Sequence, residues 1–211
     1  MKQFYIIILP CLYFQCIVTY EVGDIIQLPE PKKDGGMTLK EALNNRKSSR
    51  DFDNTKKIDN YLLSQALWSC YGVNRPNGYR TTPSAQGWHP LIVYAFLEDG
   101  VYKYNPLDNT LTVVLLGDHR AKTGTQDYVS KAAVNFVVVG DLNKKTSYND
   151  KQKEMAIYFD TGHCTMGFSL FAAANNLKGV DRAMVDIDAL FELLGLSKKD
   201  YLFSLSYSLG Y

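Results

Sequence analysis

Apolar positions recur along this chain in two rhythms, and the places where the rhythm changes mark the elements. Thr38 with Glu41 three residues on forms a capping box, and Leu39, Ala42 and Leu43 follow at helical spacing. Asp59 can cap a second helix whose Leu62, Leu63, Ala66, Leu67 and Cys70 share a face, with Gly72 as its stop. Asn74 to Pro83 carries no period. Leu91 to Leu97 is a nearly continuous apolar run, followed by Asp99-Gly100 and Val101-Tyr102-Lys103-Tyr104, which predicts a hairpin. Leu111 to Leu116 reads as a strand, Asp118 to Ala133 as a polar helix, and Asn135 to Gly140 as a buried strand. The longest helical pattern runs from Asp150 to Asn176, with Met155, Phe159, Met166, Leu170, Phe171 and Ala174 as its apolar positions. Gly162 and Gly167 weaken that helix, so each is expected to admit close approach of another element or a ligand. Asp186 to Leu194 predicts a last helix and Tyr201 to Leu209 a last strand. Helices separated by strands, with one hairpin, imply an α+β sandwich around a mixed, mainly antiparallel sheet.

The first residues follow a different rule. Met1-Lys2 precedes an apolar stretch, Phe4 to Val18, broken only by Pro10, Gln15 and two cysteines. It falls short of the about 20 apolar residues a bilayer span needs. A basic start, a short apolar region and a polar chain from Glu21 read as a secretory signal peptide over residues 1–20. No stable membrane span is expected in the mature chain, which would be exported, into a periplasm by preference over the cytoplasm. Small residues at both cleavage positions are missing around Val18-Thr19-Tyr20, and Tyr13-Phe14-Gln15 argues against lipid attachment at Cys16. A hydrophobic first strand or anchor helix is the alternative. Residues 21–37 form an extended arm, and 38–211 the folded domain.

Composition narrows the class. The chain has 211 residues, 46% hydrophobic and 21% charged, enough for one globular core. Lys plus Arg (23) nearly balances Asp plus Glu (22), so no concentrated basic surface for a nucleic-acid backbone is expected. Fifteen tyrosines suggest an interface or a ring-binding site. Cys70 and Cys164 lie in apolar helical patterns and read as buried thiols, and no CxxC spacing supports zinc. There is no GxSxG, GxxxxGK, GxGxxG or HExxH motif. His89, His119 and His163 are isolated from acidic partners at ligand spacing, so no metal site is expected.

Two segments carry chemistry. Arg46-Lys47-Ser48-Ser49-Arg50 follows the capped helix, and its guanidiniums, ammonium and hydroxyls can surround a phosphate. A solvated basic helix end is the plainer reading of the same residues. Arg80-Thr81-Thr82-Pro83-Ser84-Ala85-Gln86-Gly87-Trp88-His89-Pro90 precedes the strongest strand, and its small residues leave backbone groups open to a flat ligand. Read alone, it is equally an ordinary loop.

Taken in order, RKSSRDF, LLSQALWSCYG, RTTPSAQGWHPLIVYAF, GVYKYNP, the glycine-bearing long helix and VDIDALFELLGL resemble the nitroreductase family of FMN proteins, nearer to its SagB-like dehydrogenase branch. The resemblance covers the chain from about Met37 to Tyr211 and implies an intertwined homodimer with one FMN in each of two clefts between subunits. It assigns the FMN phosphate to Arg46, Ser48 and Arg50, with Lys47 beside them. It sets Pro83, Ser84, Ala85 and Gln86 beside the isoalloxazine, and Ala183 and Met184 near it. Two departures stand out: Gly210-Tyr211 lies where many relatives carry a basic residue, and no Asn occurs between Ser84 and Pro90. The implied activity is ping-pong reduction of small nitroaromatic, quinone or similar acceptors by NADH or NADPH, with the chemistry at flavin N5 and no catalytic side chain. A SagB-like dehydrogenase acting on an organic or peptide substrate, and a non-catalytic flavin-binding protein, are the alternatives.

Overall fold

The computed structural model describes residues 19–211. The expected signal peptide lies, apart from its last two positions, outside the described residues, as do Cys11 and Cys16. Seven strands form one sheet in the order β1-β4-β3-β2-β5-β7-β6: β1 is Ile25–Gln27, β2 Leu91–Phe96, β3 Gly100–Asn105, β4 Thr110–Leu116, β5 Val134–Asp141, β6 Lys178–Arg182 and β7 Tyr201–Gly210. Every pairing is antiparallel, so the mixed sheet expected from the pattern narrows to an antiparallel one.

Alternation along β5 explains the layers. Phe136 and Val138 face a core shared with the helices α2 (Asn60–Tyr71) and α3 (Asp150–Ala174). Val137 and Val139 face the opposite side, where Leu190, Phe191 and Leu194 of α4 (Ile187–Leu194) close a second cluster. A strand buried on both faces must be apolar at every position, which is why the run from Val134 to Val139 lacks polar residues except Asn135. Phe168 of α3 stacks on Phe136 at 4.1 Å and on Tyr207 of β7 at 5.3 Å, tying helix to sheet centre.

The helix starts follow their caps. Thr38 and Glu41 form the reciprocal box that opens α1 (Leu39–Asn45), and the side chains of Asp59, Asn149 and Asp186 each accept from the third backbone N–H beyond them. One expectation needs correction. Residues 118–133 do not form a helix. Two short 3-10 turns, Arg120–Thr123 and Val129–Lys131, flank the extended Gly124, because Asp118 folds back onto Arg120 and Arg182 occupies the space beside Gly124. The arm is partly structured, since Ile25–Gln27 pairs with β4 and Leu28 is buried. Strand β6 is polar and has no alternating apolar signature, so it was legible only as a gap between helices. Gly72 ends α2 as its position predicts, with an extended backbone, and a Cβ there would run into Trp68.

The long helix shows the largest difference. Met155, Phe159 and Met166 are exposed, while Ile157, Asp160, Thr161, Cys164 and Phe168 face the core. Gly167 fulfils its expectation: a Cβ there would stand 2.5 Å from the Ser69 carbonyl oxygen and 2.9 Å from Cys70 Cα, so it sets the close crossing of α2 and α3. At Gly162 nothing of the same chain lies within 4 Å of the Cβ position, and it belongs to the outward face with Phe159 and Met166. Cys70 and Cys164 are free and fully buried, their sulfurs 3.0 Å apart at that crossing, and burial holds the Cys70 thiol well above its ordinary pKa.

Candidate functional site

The basic run is an extended strap, not a helix end. Helix α1 stops at Asn45, Arg46 turns to extended backbone, and the Ser49 N–H donates to the Gly179 carbonyl of edge strand β6 at 2.9 Å. A Cβ at Gly179 would collide with the Tyr207 hydroxyl, so glycine is required where Tyr207 of β7 packs against β6. Arg46, Lys47, Ser48 and Arg50 are exposed, and among the described residues none of these three cations has a salt-bridge partner. The neighbouring cation differs, since Lys178 pairs with Asp51 at 3.5 Å. Lys47 and Ser49 line one wall of an open recess of about 560 Å³, with Asn44, Asn45, Ala172 and Asn176 opposite. Three unpaired cations and a free hydroxyl on a braced strap are a donor set that suits a phosphate dianion.

The loop before β2 is strained and anchored. Gln86 and His89 adopt positive φ of 53° and 49°, a conformation side chains with a Cβ rarely take. What holds them there is Asp160, a buried carboxyl of α3. The Ser84 hydroxyl donates to its Oδ2 at 2.5 Å, and the Ala85 N–H points to its Oδ1 at 3.4 Å. Ser84 Oγ in turn accepts the His89 N–H at 2.7 Å. Burial raises the Asp160 carboxyl above its ordinary range, while these two donors pull it back. The Ser84 side chain is therefore engaged within the protein. Pro83 and Gln86 are exposed, and Gln86 Oε1 accepts from Ser147 at 3.1 Å.

Arg80, just upstream, lies over the Tyr71 ring at 4.0 Å, and its Nε is buried with no hydrogen-bond partner. The His89 ring stands edge-on to Tyr71 and Tyr79, with Nδ1 likewise unpartnered. Burial, with the charges of Arg80 and Lys144, pushes the His89 pKa down to about 4. Asp160 was invisible to pattern reasoning because it occupies an inward position of a helix read as apolar elsewhere; the signal that could have found it is its helical phase with Ile157 and Cys164.

The two segments are far apart within one chain. Asp160 touches the Ser84 loop, while Ala172, twelve positions along the same helix, lines the recess beside Lys47. At 1.5 Å per residue that separation is about 18 Å. The sheet agrees: Leu91, after the loop, pairs with Gly140 at one end of β5, while Gly179, under the strap, connects through Leu209 to Val134 at the other. Ala183 and Met184 follow β6 along the edge carrying the strap and are exposed; the Met184 carbonyl accepts from Thr125 at 3.1 Å. The chain's end is not bare, because Lys56 lies 5.6 Å from the centre of the Tyr211 ring. Among the described residues, no cluster of His, Cys, Asp and Glu could hold a metal, and no helix is long and apolar enough to cross a membrane.

Comparison with known proteins is concordant with this layout. Residues 43–211 match the model of the nitroreductase family. A protein of Methanocaldococcus jannaschii named as a nitroreductase is 25% identical over 162 residues, covering 72% of this chain and 80% of its own length. A crystal structure from Ralstonia eutropha JMP134, also named as a nitroreductase, is 33% identical with a TM-score of 0.82, covering 88% of each chain. A nitroreductase-named structure from Exiguobacterium sibiricum 255-15, in complex with FMN, shares the fold at 14% identity and a TM-score of 0.61, covering 85% of this chain and 90% of that one. The chain belongs to the nitroreductase family.

Proposed function

We propose that this protein is an FMN-dependent oxidoreductase that works as a homodimer, reducing small organic acceptors with electrons from NADH or NADPH. The observation that carries this reading is the strap: Arg46, Lys47 and Arg50, unpaired and exposed with Ser48 between them, on a segment braced to Gly179. Arg46 and Arg50 would each present a planar pair of N–H donors to the phosphate, Ser48 a hydroxyl donor and Lys47 a point charge. Bound FMN would supply hydride chemistry at N5, which no side chain of this chain could provide. Pro83, Ser84, Ala85 and Gln86 would bound the ring with main-chain groups, held rigid from behind by Asp160, and Ala183 and Met184 would border the same cleft.

The separation of strap and loop by about 18 Å favours a site completed by a second copy. So does the outward face of α3, where Met155, Phe159 and Met166 stay exposed at helical spacing. Export, with a signal peptide over residues 1–20, forms part of the proposal and is read by N-terminal sequencing of the secreted protein.

The test is an absorption spectrum of the purified protein, before and after incubation with FMN. Flavin bands, and rapid bleaching on anaerobic mixing with NADH or NADPH, are expected. A preparation that stays colourless after incubation overturns the reading. A flavin that bleaches only with an organic or peptide substrate assigns the SagB-like dehydrogenase reaction, and one that no reductant bleaches assigns a flavin carrier.

A further inference from the structure

Behind the Ser84 loop the chain gathers positive charge that it does not neutralise. Arg80 is stacked on Tyr71, and the Lys144 ammonium donates to the His89 carbonyl at 2.7 Å, so both cations flank the His89 residue. Trp88 Nε1 fixes the Lys144 backbone by donating to its carbonyl at 3.1 Å. Arg75 adds to the charge, donating to the Arg80 carbonyl at 3.1 Å. Among the described residues no carboxylate forms a salt bridge with Arg75, Arg80 or Lys144, and Asp160, the carboxylate bonded to this loop, is committed to Ser84 and Ala85. Burial and the nearby Arg80 lower the Lys144 pKa, with Asp141 acting weakly the other way. Arg80 Nε, His89 Nδ1 and Thr82 Oγ1 are all buried without partners. Buried polar groups are almost always hydrogen-bonded, and like charges gathered without a counter-charge repel.

We propose that Arg80 and Lys144, flanking His89, form an anion-recognition patch beside the loop, so that the reactant this enzyme takes carries a carboxylate or a phosphate. The inference rests on the flavoenzyme reading of the same loop and names the charge of its substrate. Arg80 is held flat by Tyr71 with its Nε closed off from solvent, while its terminal guanidinium nitrogens are neither buried nor hydrogen-bonded and stay open to an anionic oxygen, and Lys144 has two further N–H donors. The anion belongs either to the electron acceptor or to the nicotinamide donor, and two substrate pairs separate these sources.

The experiment compares the native protein with the double variant Arg80→Gln, Lys144→Gln and with Arg80→Lys. Acceptors are p-nitrobenzoate and p-nitrobenzyl alcohol, and donors are NADPH and NADH; bound flavin is measured for each protein. In the double variant, the ratio of kcat/KM for the anionic member to the less charged one falls at least tenfold in one pair, through KM. Arg80→Lys restores part of it. A fall in the acceptor pair assigns a carboxylate substrate, and a fall in the donor pair assigns the extra phosphate of NADPH. Ratios within threefold of native in both pairs overturn the proposal. If the double variant does not fold, Lys144→Gln alone is held to a threefold fall. If the native protein takes no flavin, the function proposed above fails, and calorimetry with p-nitrobenzoate and the alcohol still decides the patch. Preference for the anion that Lys144→Gln abolishes upholds it, and equal binding or none sinks it.

Discussion

The Ser84 hydroxyl donates a hydrogen bond to Asp160 across 2.5 Å while accepting the His89 N–H at 2.7 Å, joining a loop, a helix and the approach to β2 through one oxygen. Removing that oxygen leaves a buried carboxylate short of a donor and a backbone N–H without an acceptor. Ser84→Ala should therefore lower stability by about 1–3 kcal/mol, the cost of a buried polar group left unmatched. Urea unfolding measures it. An unchanged midpoint would show that the loop is held by something else.

Arg46 and Arg50 are exposed and unpaired, so replacing both with Ala should alter stability by no more than about 0.5 kcal/mol each. Two charge-assisted contacts to a phosphate, at about 1.5–3 kcal/mol each, should weaken FMN binding more than tenfold. Flavin fluorescence titration reads the affinity. Native affinity in the double variant would remove the strap from the cofactor site.

Gly167→Ala introduces a methyl group where the Ser69 carbonyl oxygen stands 2.5 Å away, at a crossing of two packed helices. Overpacking of this kind costs about 1–3 kcal/mol, more than the helix propensity that alanine would add. Thermal melting should show the loss, and a variant more stable than the native protein would mean that α2 and α3 can move apart freely.

The exposed face of α3 gives a fourth variant. Met155→Glu with Phe159→Glu places charges on a surface that a second copy is proposed to cover, and both positions are outside the core. Sedimentation should show a folded monomer in place of a dimer. A variant that sediments as the native protein does would move the subunit contact elsewhere.

The pH dependence follows from His89. Its folded pKa, about 4, lies below the ordinary imidazole value of 6.5, so the folded protein favours the neutral ring. Protonation then favours the unfolded chain: the stability contribution is full above pH 6.5 and declines as pH falls towards 4. His89→Gln should flatten the decline in melting temperature across that window. A profile of unchanged slope would reassign it to other groups.

How much of this was legible in the sequence depended on whether the signal was local. Thr38 with Glu41, Asp59 and Asp186 announced their helices because a cap is written within four residues, and Asp99-Gly100 marked its hairpin for the same reason. Strand β6 was not legible, because Arg182 in it is buried by contacts from afar: to the Thr123 carbonyl at 2.6 Å, Ser208 Oγ at 2.8 Å and Asn135 Oδ1 at 3.1 Å. The same contacts take residues 118–133 away from the helix that their polarity suggested. On α3 the large side chains Met155 and Phe159 advertise the wrong face, since size and apolarity alone do not distinguish a core position from an exposed one. Of the candidate site, the strap and the loop are nominated by their residue types, whereas Asp160 and Lys144 come beside the loop only through folding.

The length of α3 between Asp160 and Ala172 has a consequence for anyone handling the protein. If neither half of the cleft suffices alone, retention of the flavin should depend on how much protein is in the tube. Serial dilution would release the chromophore by separating subunits, and concentrating the sample would drive it back onto the protein.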